Sequence, residues 1–272
     1  MTPSVAVETD GLRLYVSTSD KAVSRAIFSS GAAYEREQFP PLMDALREAG
    51  MGAGIEGRGF LDIGGNIGSA TCLALSRYGA AEAWIFEPSP ANVVLLRQNM
   101  LVNGLENRVH VHPIALSDHD GTTTFELSDK NWGDNRVRVE RANGDRSLGV
   151  LGEAQRRTVE VPARRLDSLV DDGSIDLDSI GLAWIDVQGH EAHVFAGAVN
   201  LLDSDVPIIC EYWPYGLERA GGLQRFHTLV AGSRSRFIDL ATPDATVLPI
   251  AKLAALQSKY TGVTYTDLLL LP

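Results

Sequence analysis

Residues 60–69 form the feature that most constrains the fold: a short apolar run that breaks into a glycine-rich turn and continues as an apolar stretch of helical character. Gly64, Gly65 and Gly68 lack a Cβ atom, so the backbone there can adopt positive φ angles and a ligand can lie against it. A helix that begins near Gly68 directs its unpaired N–H groups and its positive dipole end towards the same turn. The pattern predicts a strand, a turn and a helix that together bind a ligand.

An acidic residue follows at the distance typical of nucleoside-binding folds. Glu87 ends a second apolar run, residues 83–86, roughly twenty residues after the turn, where a carboxylate can bind the two hydroxyls of a ribose. The dinucleotide fingerprint needs glycine at positions that Asn66 and Ser69 occupy here, and no phosphate-binding loop of the form GxxxxGK[ST] occurs. The spacing therefore disfavours a dinucleotide, whose pyrophosphate the turn would bind, and favours a nucleoside. An ordinary tight turn beside a solvated glutamate is the alternative interpretation.

Composition limits the classes of partner. The formal net charge of -11 disfavours nucleic acids, since an electrostatic grip on a phosphate backbone needs a concentrated basic surface. No apolar run is long enough to cross a membrane and the first residues lack a signal-peptide pattern, so we expect a cytoplasmic protein that does not bind membranes. Cys72 and Cys210 lie in apolar runs and are expected to be buried thiols.

The chain is expected to form one main domain with an N-terminal addition. We interpret residues 1–58 as a mostly helical cap. In residues 59–272, short apolar runs alternate with amphipathic stretches, the pattern of a parallel sheet with helices on both faces. Residues 129–157 are rich in Asn, Gly, Asp and Arg, and we predict a long loop that can act as a substrate lid.

Polar side chains follow two later apolar runs, residues 181–185 and residues 206–210. Because the carboxyl ends of parallel strands share the edge at which ligands bind, we expect these side chains beside the glycine turn. They are Asp186, Gln188, His190 and Glu191 after the first run, and Glu211, Trp213 and Tyr215 after the second. Aromatic rings next to a carboxylate suit a half-apolar acceptor pocket.

Taken together, these motifs resemble the FkbM family of S-adenosylmethionine-dependent methyltransferases. Seven stretches occur in the order typical of that family, from about residue 31 to the C-terminus, and their order is more specific than any one of them. They are residues 31–35, 61–68, 86–90, 115–118, 165–169, 185–191 and 209–211. One departure is Gln188, which stands where the family commonly has glutamate.

The resemblance implies an α/β class I methyltransferase fold, Rossmann-like, with a seven-stranded, mostly parallel sheet of order 3-2-1-4-5-7-6 and helices on both faces. It implies S-adenosylmethionine as the cofactor and O-methylation of a hydroxyl on a small molecule, such as a sugar or another natural product, as the reaction. The acceptor's identity and a homo-oligomeric state stay open. Two alternatives are a nicotinamide-dependent oxidoreductase on a doubly wound fold and a nucleoside-binding module without catalytic activity.

The motifs and the resemblance assign residues to a cofactor site and an acceptor site. Those expected to bind the cofactor are Tyr34, Glu35, Asp62, Gly64, Gly65, Asn66, Gly68, Ser69, Glu87, Pro88, Ser89, Asn92, Ala115, Leu116, Ser117 and Asp186. Those expected to contact the acceptor are Trp132, Gln188, His190, Trp213 and Tyr215.

Catalysis is expected to need few residues, because the sulfonium of the cofactor carries the difficult chemistry. The candidate bases are His190, Asp186, Glu191 and Glu211. We prefer His190, because an unperturbed imidazole titrates near neutral pH. Glu191 can instead stabilise the start of a helix through its dipole. A divalent cation held by Asp186, Glu211 and His190 stays open, but we predict a metal-free site.

Overall fold

The computed structural model describes residues 3–9, 11–52, 54–139, 151–242 and 245–272. Within these ranges lie fourteen strands and ten α-helices. The strands are β1 (Ser4–Thr9), β2 (Leu12–Ser17), β3 (Gly59–Ile63), β4 (Glu82–Phe86), β5 (Val109–His112), β6 (Ala115–Leu116), β7 (Gly121–Leu127), β8 (Arg136–Val137), β9 (Arg157–Arg164), β10 (Ile180–Ile185), β11 (Ile208–Tyr212), β12 (Arg236–Asp239), β13 (Val247–Pro249) and β14 (Thr266–Leu271). The helices are α1 (Val23–Ser30), α2 (Phe39–Glu48), α3 (Ser69–Arg77), α4 (Pro90–Val102), α5 (Leu166–Asp171), α6 (Glu191–Ala196), α7 (Val199–Leu202), α8 (Pro214–Arg219), α9 (Leu223–Ser233) and α10 (Leu256–Lys259).

A central mixed sheet organises these elements. In the described part of the chain it has eight strands, in the order β13-β12-β14-β11-β10-β3-β4-β5. The strands from β11 to β5 are parallel, and β12, β13 and β14 pair antiparallel. The expected strand count of seven was wrong by one, because β13 adds a short strand at the edge. The α/β architecture is as predicted.

Alternate residues of the central strands pack into two apolar clusters, one on each face of the sheet. Phe60 and Trp184 belong to one cluster, and their chain neighbours Leu61 and Ile185 belong to the other. Strands β3, β10 and β11 are therefore buried along their whole length, as expected of parallel strands with helices on both faces. The parallel arrangement also brings the carboxyl ends of β3, β4, β10 and β11 to one edge.

The N-terminal region is only partly helical. Strands β1 and β2 form an antiparallel hairpin before α1 and α2, so the prediction of a mostly helical cap was wrong for this segment. The Asn99 side chain of α4 extends the hairpin by pairing with both backbone groups of Tyr15, at 2.6 and 3.2 Å. Helix α2 docks on the central sheet through Phe39, whose ring stacks on Trp184 and Tyr78 at 5.1 and 4.6 Å. A domain boundary at residue 58 stays a prediction.

A second sheet, of order β6-β9-β7-β8, contains part of the predicted lid. Strand β8 pairs with β7, with Val137 opposite Phe125, so this part of residues 129–157 is anchored to regular structure. Residues 140–150 of the predicted lid lie outside the described residues. A lid function stays a prediction.

Two expectations from composition concern other parts of the fold. Cys72 and Cys210 are buried and free, as predicted. Among the helices that the structure describes, none is both long enough and apolar enough to cross a membrane.

Candidate active site at the carboxyl edge of the sheet

A cavity of about 430 Å³ opens at the shared carboxyl edge of the parallel strands, within the size range of ligand pockets. Its wall combines the glycine turn after β3, the acid after β4 and the polar ends of β10 and β11. Most of the residues predicted from sequence line it. They are Tyr34, Glu35, Asp62, Gly64, Gly65, Asn66, Glu87, Pro88, Asn92, Ala115, Leu116, Trp132, Asp186, Gln188, His190 and Glu211.

Glycine is required at Gly64 and Gly65 because other protein atoms pack closely against the turn. Gly64 has a φ of +96°, and a Cβ atom built on it would lie 1.8 Å from the carbonyl oxygen of Asp186. A Cβ on Gly65 would lie 2.3 Å from the Ile85 side chain. Protein atoms thus fill the space that we expected a ligand to use. The turn nevertheless forms part of the cavity wall, with both N–H groups donating to the carbonyl of Phe86 at 2.9 and 3.1 Å.

Glu87 is held by backbone N–H groups on both sides of its carboxylate. Its Oε2 accepts from the N–H of Asn66 at 2.9 Å, and its Oε1 accepts from the N–H of Ser89 at 2.7 Å. Ser89 in turn caps α4, since its Oγ accepts from the N–H of Asn92. Burial raises the pKa of Glu87 to about 8. Each carboxylate oxygen can accept a further hydrogen bond, so the side chain can still bind a hydroxyl pair.

The wall next to the turn carries two more acids, of which Asp62 is buried and Glu35 is half-buried. Asp62 accepts a hydrogen bond from the Thr71 hydroxyl at 2.5 Å, and burial raises its pKa to about 7. Burial also raises the pKa of Glu35 to about 7. The loop that contains Glu35 is tied to α3 by the N–H of Tyr34, which donates to the Ser69 hydroxyl at 3.0 Å. This loop therefore forms a fixed side of the cavity.

Three neighbouring strands bring carboxylates side by side. Ile185 of β10 pairs with Cys210 of β11, so the next residues along each chain, Asp186 and Glu211, are neighbours. Glu211 also lies directly opposite Asp267 of β14. Burial first, and then the neighbouring carboxylates, raise the pKa of Glu211 well above its usual value. We call Asp186, Glu211 and Asp267 the acid row.

Two side-chain amides donate to the acid row. Gln188 Nε2 lies 2.6 Å from Asp186 Oδ1 and 3.3 Å from Glu211 Oε2, so one amide group bridges both carboxylates. Gln38 Nε2 donates to Asp267 Oδ2 at 3.1 Å. An ionised glutamate at position 188 has no proton to donate to these acids. Gln188 therefore forms a bridge that a glutamate at this position could not form.

Glu191 lies behind the row and is fully buried. Its Oε1 accepts from the N–H groups of Val187 and Gly189 at 3.1 and 3.3 Å, which fixes the turn before α6. Its Oε2 has no hydrogen-bond partner within the described ranges. One carboxylate oxygen from each of Asp186, Glu191 and Glu211 can be chosen so that all lie within 4.8 Å of one another. Carboxylate oxygens at such spacing are able to hold a metal ion.

His190 is buried and engaged in contacts with the protein. Its Nε2 lies 3.0 Å from the Ser117 hydroxyl, and its ring stacks on that of His193 with centroids 4.4 Å apart. Burial lowers the pKa of His190 well below its usual value. The ring is therefore neutral at pH 7 and a weak base. Its assignment as the preferred base stays a prediction that this environment does not favour.

Some predicted residues lie behind the cavity wall. They are Gly68, Ser69, Ser89, Ser117, Glu191, Trp213 and Tyr215. Trp213 and Tyr215 were expected to contact the acceptor. They instead contact Arg136 and Glu153, which take part in ion pairs. The guanidinium of Arg136 lies 5.1 Å from the centre of the Trp213 ring, and the Tyr215 hydroxyl donates to Glu153 at 2.9 Å. These aromatic side chains thus hold α8 against the second sheet.

Other lining residues were missed at the sequence level. They include Gln38, Asn131, Asn135, Tyr265 and Asp267. Asp267 had a usable signal, since it is a single acid in the otherwise apolar end of β14. Tyr265 directly precedes β14, whereas Gln38 comes from the N-terminal region and Asn131 and Asn135 from the connection between β7 and β8. These segments reach the cavity only through tertiary packing.

Comparison with known proteins gives a consistent family relationship. A family model, the methyltransferase FkbM domain, matches residues 62–224. The 2-O-methyltransferase NoeI of Sinorhizobium fredii is 33% identical over 159 residues, which are 56% of this chain and 62% of that protein. The hexuronic acid methyltransferase AglP of Haloferax volcanii is 27% identical over 150 residues, which are 55% of this chain and 54% of that protein. The match thus spans little more than half the length of each relative.

Solved structures with a similar arrangement include two methyltransferases. The FkbM methyltransferase of Methylobacillus flagellatus has a TM-score of 0.46 and 14% identity, over 78% of this chain and 43% of that one. The O-methyltransferase of Bacillus cereus, in complex with S-adenosylhomocysteine, has a TM-score of 0.45 and 17% identity, over 86% of this chain and 81% of that one.

Proposed function

Because this chain belongs to the FkbM family of methyltransferases, we propose that it transfers a methyl group from S-adenosylmethionine to a hydroxyl group of a small molecule, preferably a sugar. One observation carries the proposal. A single cavity has the glycine turn and Glu87 on one side and the acid row on the other. The donor and the acceptor can therefore meet at one edge of the sheet.

The first side of the cavity has the groups that an adenosyl donor needs. Glu87 is fixed by the N–H groups of Asn66 and Ser89 and keeps acceptor capacity for ribose hydroxyls. The neighbouring acids Asp62, Glu35 and Asp186 attract a ligand that carries positive charge on its sulfonium and ammonium groups. When bound, S-adenosylmethionine supplies the activated methyl group.

The acceptor side suits a polyhydroxylated molecule. Asn131, Asn135 and Gln188, which carry amide groups, and the aromatic residues Trp132 and Tyr265 also line the cavity. Amides can both donate to and accept from hydroxyl groups, and rings pack on the apolar faces of a sugar. The names of the two relatives point the same way, since one acts at a 2-O position and the other on a hexuronic acid. The acid row favours a neutral sugar over an anionic one.

Within this proposal, Asp186 and Glu211 accept the acceptor's proton. Both line the cavity, and burial raises the pKa of each, which makes the ionised carboxylate a stronger base. His190 is a weaker candidate because burial lowers its pKa. The proton of the acceptor O–H passes to a carboxylate as the hydroxyl oxygen takes up the methyl group.

Two measurements test the proposal. Calorimetry should detect S-adenosylmethionine and S-adenosylhomocysteine but not NAD; the reverse result would support the nicotinamide-dependent oxidoreductase. Transfer of a labelled methyl group should then be measured on neutral sugars, hexuronic acids, phenols and macrolactones, with neutral sugars expected to react best. Tight cofactor binding without transfer to any of them would support a nucleoside-binding module instead.

A further inference from the structure

We propose that Asp186, Glu191 and Glu211 form a binding site for one divalent cation, a hard ion such as Mg²⁺, Mn²⁺ or Ca²⁺, on the side of the cavity that Asp186 and Glu211 line. The site itself is independent of the proposed reaction. Its role in catalysis rests on the proposed methyl transfer. This inference replaces the metal-free site that we expected from sequence.

The spacing of the oxygens suits such an ion. One carboxylate oxygen from each of the three residues lies within 4.8 Å of the other two. Oxygen ligands lie about 2.1 Å from Mg²⁺ and about 2.3–2.6 Å from Ca²⁺, so ligands on opposite sides of an ion are about 4–5 Å apart. The three side chains can thus surround one ion with small adjustments.

The orientation of Glu191 is a second, independent observation. The side chain is fully buried, and its Oε1 is fixed by the N–H groups of Val187 and Gly189. This leaves Oε2 without a hydrogen-bond partner among the residues described, in a carboxylate that lies beside those of Asp186 and Glu211. Burying a carboxylate oxygen without a donor is costly, and such a group calls for an explanation. A cation between the three residues supplies one.

The acid row adds a third argument, which comes from strand pairing. Glu211 and Asp267 face each other across β11 and β14, and like charges in this position destabilise a sheet. The side chains that donate to the row do not offset this charge, because Gln188 and Gln38 are neutral. A divalent cation would remove this repulsion.

Gln188 can take part in the same site. Its amide already bridges Asp186 and Glu211, and a rotation of the amide would present its carbonyl oxygen, a ligand that Mg²⁺ and Ca²⁺ accept. A glutamine adds no negative charge, so this chain has one ligand charge fewer than a chain with glutamate at this position.

The site also suggests a chemical role. An acceptor hydroxyl that binds the ion loses its proton more readily, because the ion stabilises the negative oxygen. The proton passes to a carboxylate of the row, and an oxygen lone pair forms the O–CH₃ bond. The S–CH₃ bond breaks with its electron pair left on sulfur, which becomes a neutral thioether. Charge and electrons therefore balance without a redox partner.

Direct cation titration of the full chain tests the site. The protein is freed of metals with a chelator and titrated with Mn²⁺ under electron paramagnetic resonance, and with Mg²⁺ and Ca²⁺ by calorimetry, without any donor. We expect one saturable site. Glu211→Gln should weaken Mn²⁺ binding roughly ten-fold or more, and Gln188→Glu should tighten it, because ligand charge sets affinity. The exposed Glu48→Gln is the matched control and should bind like the wild type.

The outcomes separate this proposal from the proposed function. Absence of saturable binding, or equal affinity in wild type and Glu211→Gln, would overturn the cation site. A gain of cation affinity in Gln188→Glu cannot result from misfolding, since a damaged cavity would not bind the cation more tightly. Binding of S-adenosylmethionine in the presence of chelator is measured separately: if it persists while cation binding fails, only the cation site is lost.

Discussion

The two sides of the cavity differ in how their polar groups are satisfied. On the side of the glycine turn, Glu87 receives two backbone N–H groups and Asp62 receives a threonine hydroxyl. On the side of the acid row, Glu211 faces Asp267 and shares one amide with Asp186. On the first side these two acids already have donors, although Glu35 Oε2, Asn66 Oδ1 and Asn92 Oδ1 lack a partner among the described residues. The second side instead brings together carboxylates that an additional cation would stabilise.

The largest effect that sharpens this comparison is expected at Gly64. Gly64→Ala should lower the free energy of unfolding by at least about 3 kcal/mol, because its φ of +96° disfavours a side chain and the Cβ would lie 1.8 Å from the Asp186 carbonyl oxygen. A loss of this size corresponds to a fall in Tm of roughly 10 °C for a chain of this length.

Gly104→Ala is the matched control for that experiment. Gly104 also has a positive φ, +68°, but nothing lies within 4 Å of its Cβ position. We expect a loss of only about 1–2 kcal/mol there, from backbone strain alone. Equal losses at the two positions in thermal or urea unfolding would mean that the turn is not packed against β10 as described.

The second effect concerns cofactor binding. Glu87→Ala should weaken S-adenosylmethionine binding roughly 10- to 100-fold, since the ribose loses two hydrogen bonds of about 0.5–1.5 kcal/mol each and the N–H groups of Asn66 and Ser89 lose their acceptor. Calorimetry measures the change, with the exposed Glu48→Ala as control. Unchanged affinity in Glu87→Ala would exclude this side of the cavity as the nucleoside site.

The same contrast explains what the sequence could and could not predict. Residues 60–69 and Glu87 were predicted because apolar periodicity, glycine placement and spacing along the chain encode a local strand, turn and helix. Asp186 and Glu211 were also expected at this edge, but Asp267 joins them only because β11 pairs with β14, a distant segment. Spacing along the chain does not encode which strand pairs with which.

Tertiary packing also gave some residues a role different from the predicted one. Trp213 was correctly placed after β11, but Arg136, which covers its ring, comes from the second sheet. The N-terminal hairpin was missed because β1 and β2 are short, β1 is partly exposed, and Asn99 of α4 supplies part of their hydrogen bonding. In both cases the partner that decides the outcome is remote in sequence.

The third effect is on the pH dependence of stability. Burial raises the pKa of Asp267 from 3.8 to about 7, so between these values the folded chain binds more protons than the unfolded chain. Stability therefore falls as pH rises through this window. Asp62, Glu35 and Glu191 contribute in the same direction, since burial raises their pKa values to about 7.

Asp267→Asn should make that fall smaller, because the variant has no carboxylate at this position to lose a proton opposite Glu211. Urea unfolding at a series of pH values between 4 and 8 measures the difference, with the exposed Asp171→Asn as control. An identical pH profile in Asp267→Asn and wild type would show that burial does not raise the pKa of Asp267 in the folded chain.

The smallest effect is expected at His190, and it tests which side of the cavity handles the proton. A residue that acts as the base contributes roughly 10²–10⁴-fold to turnover. Because burial lowers the pKa of His190 and its Nε2 is engaged with Ser117, we expect His190→Gln to lower kcat by less than about ten-fold. The variant should also keep the wild-type dependence of kcat on pH.

Glu211→Gln provides the comparison that makes the His190 result informative. If the acid row handles the proton, this variant should lose more kcat than His190→Gln does, and the loss of activity at low pH should change its midpoint. A larger loss of kcat in His190→Gln, together with a changed low-pH limb in that variant alone, would assign the proton transfer to the histidine. The acid row would then serve to hold a cation or the positively charged donor, and the contrast between the two sides would lie in binding and not in proton transfer.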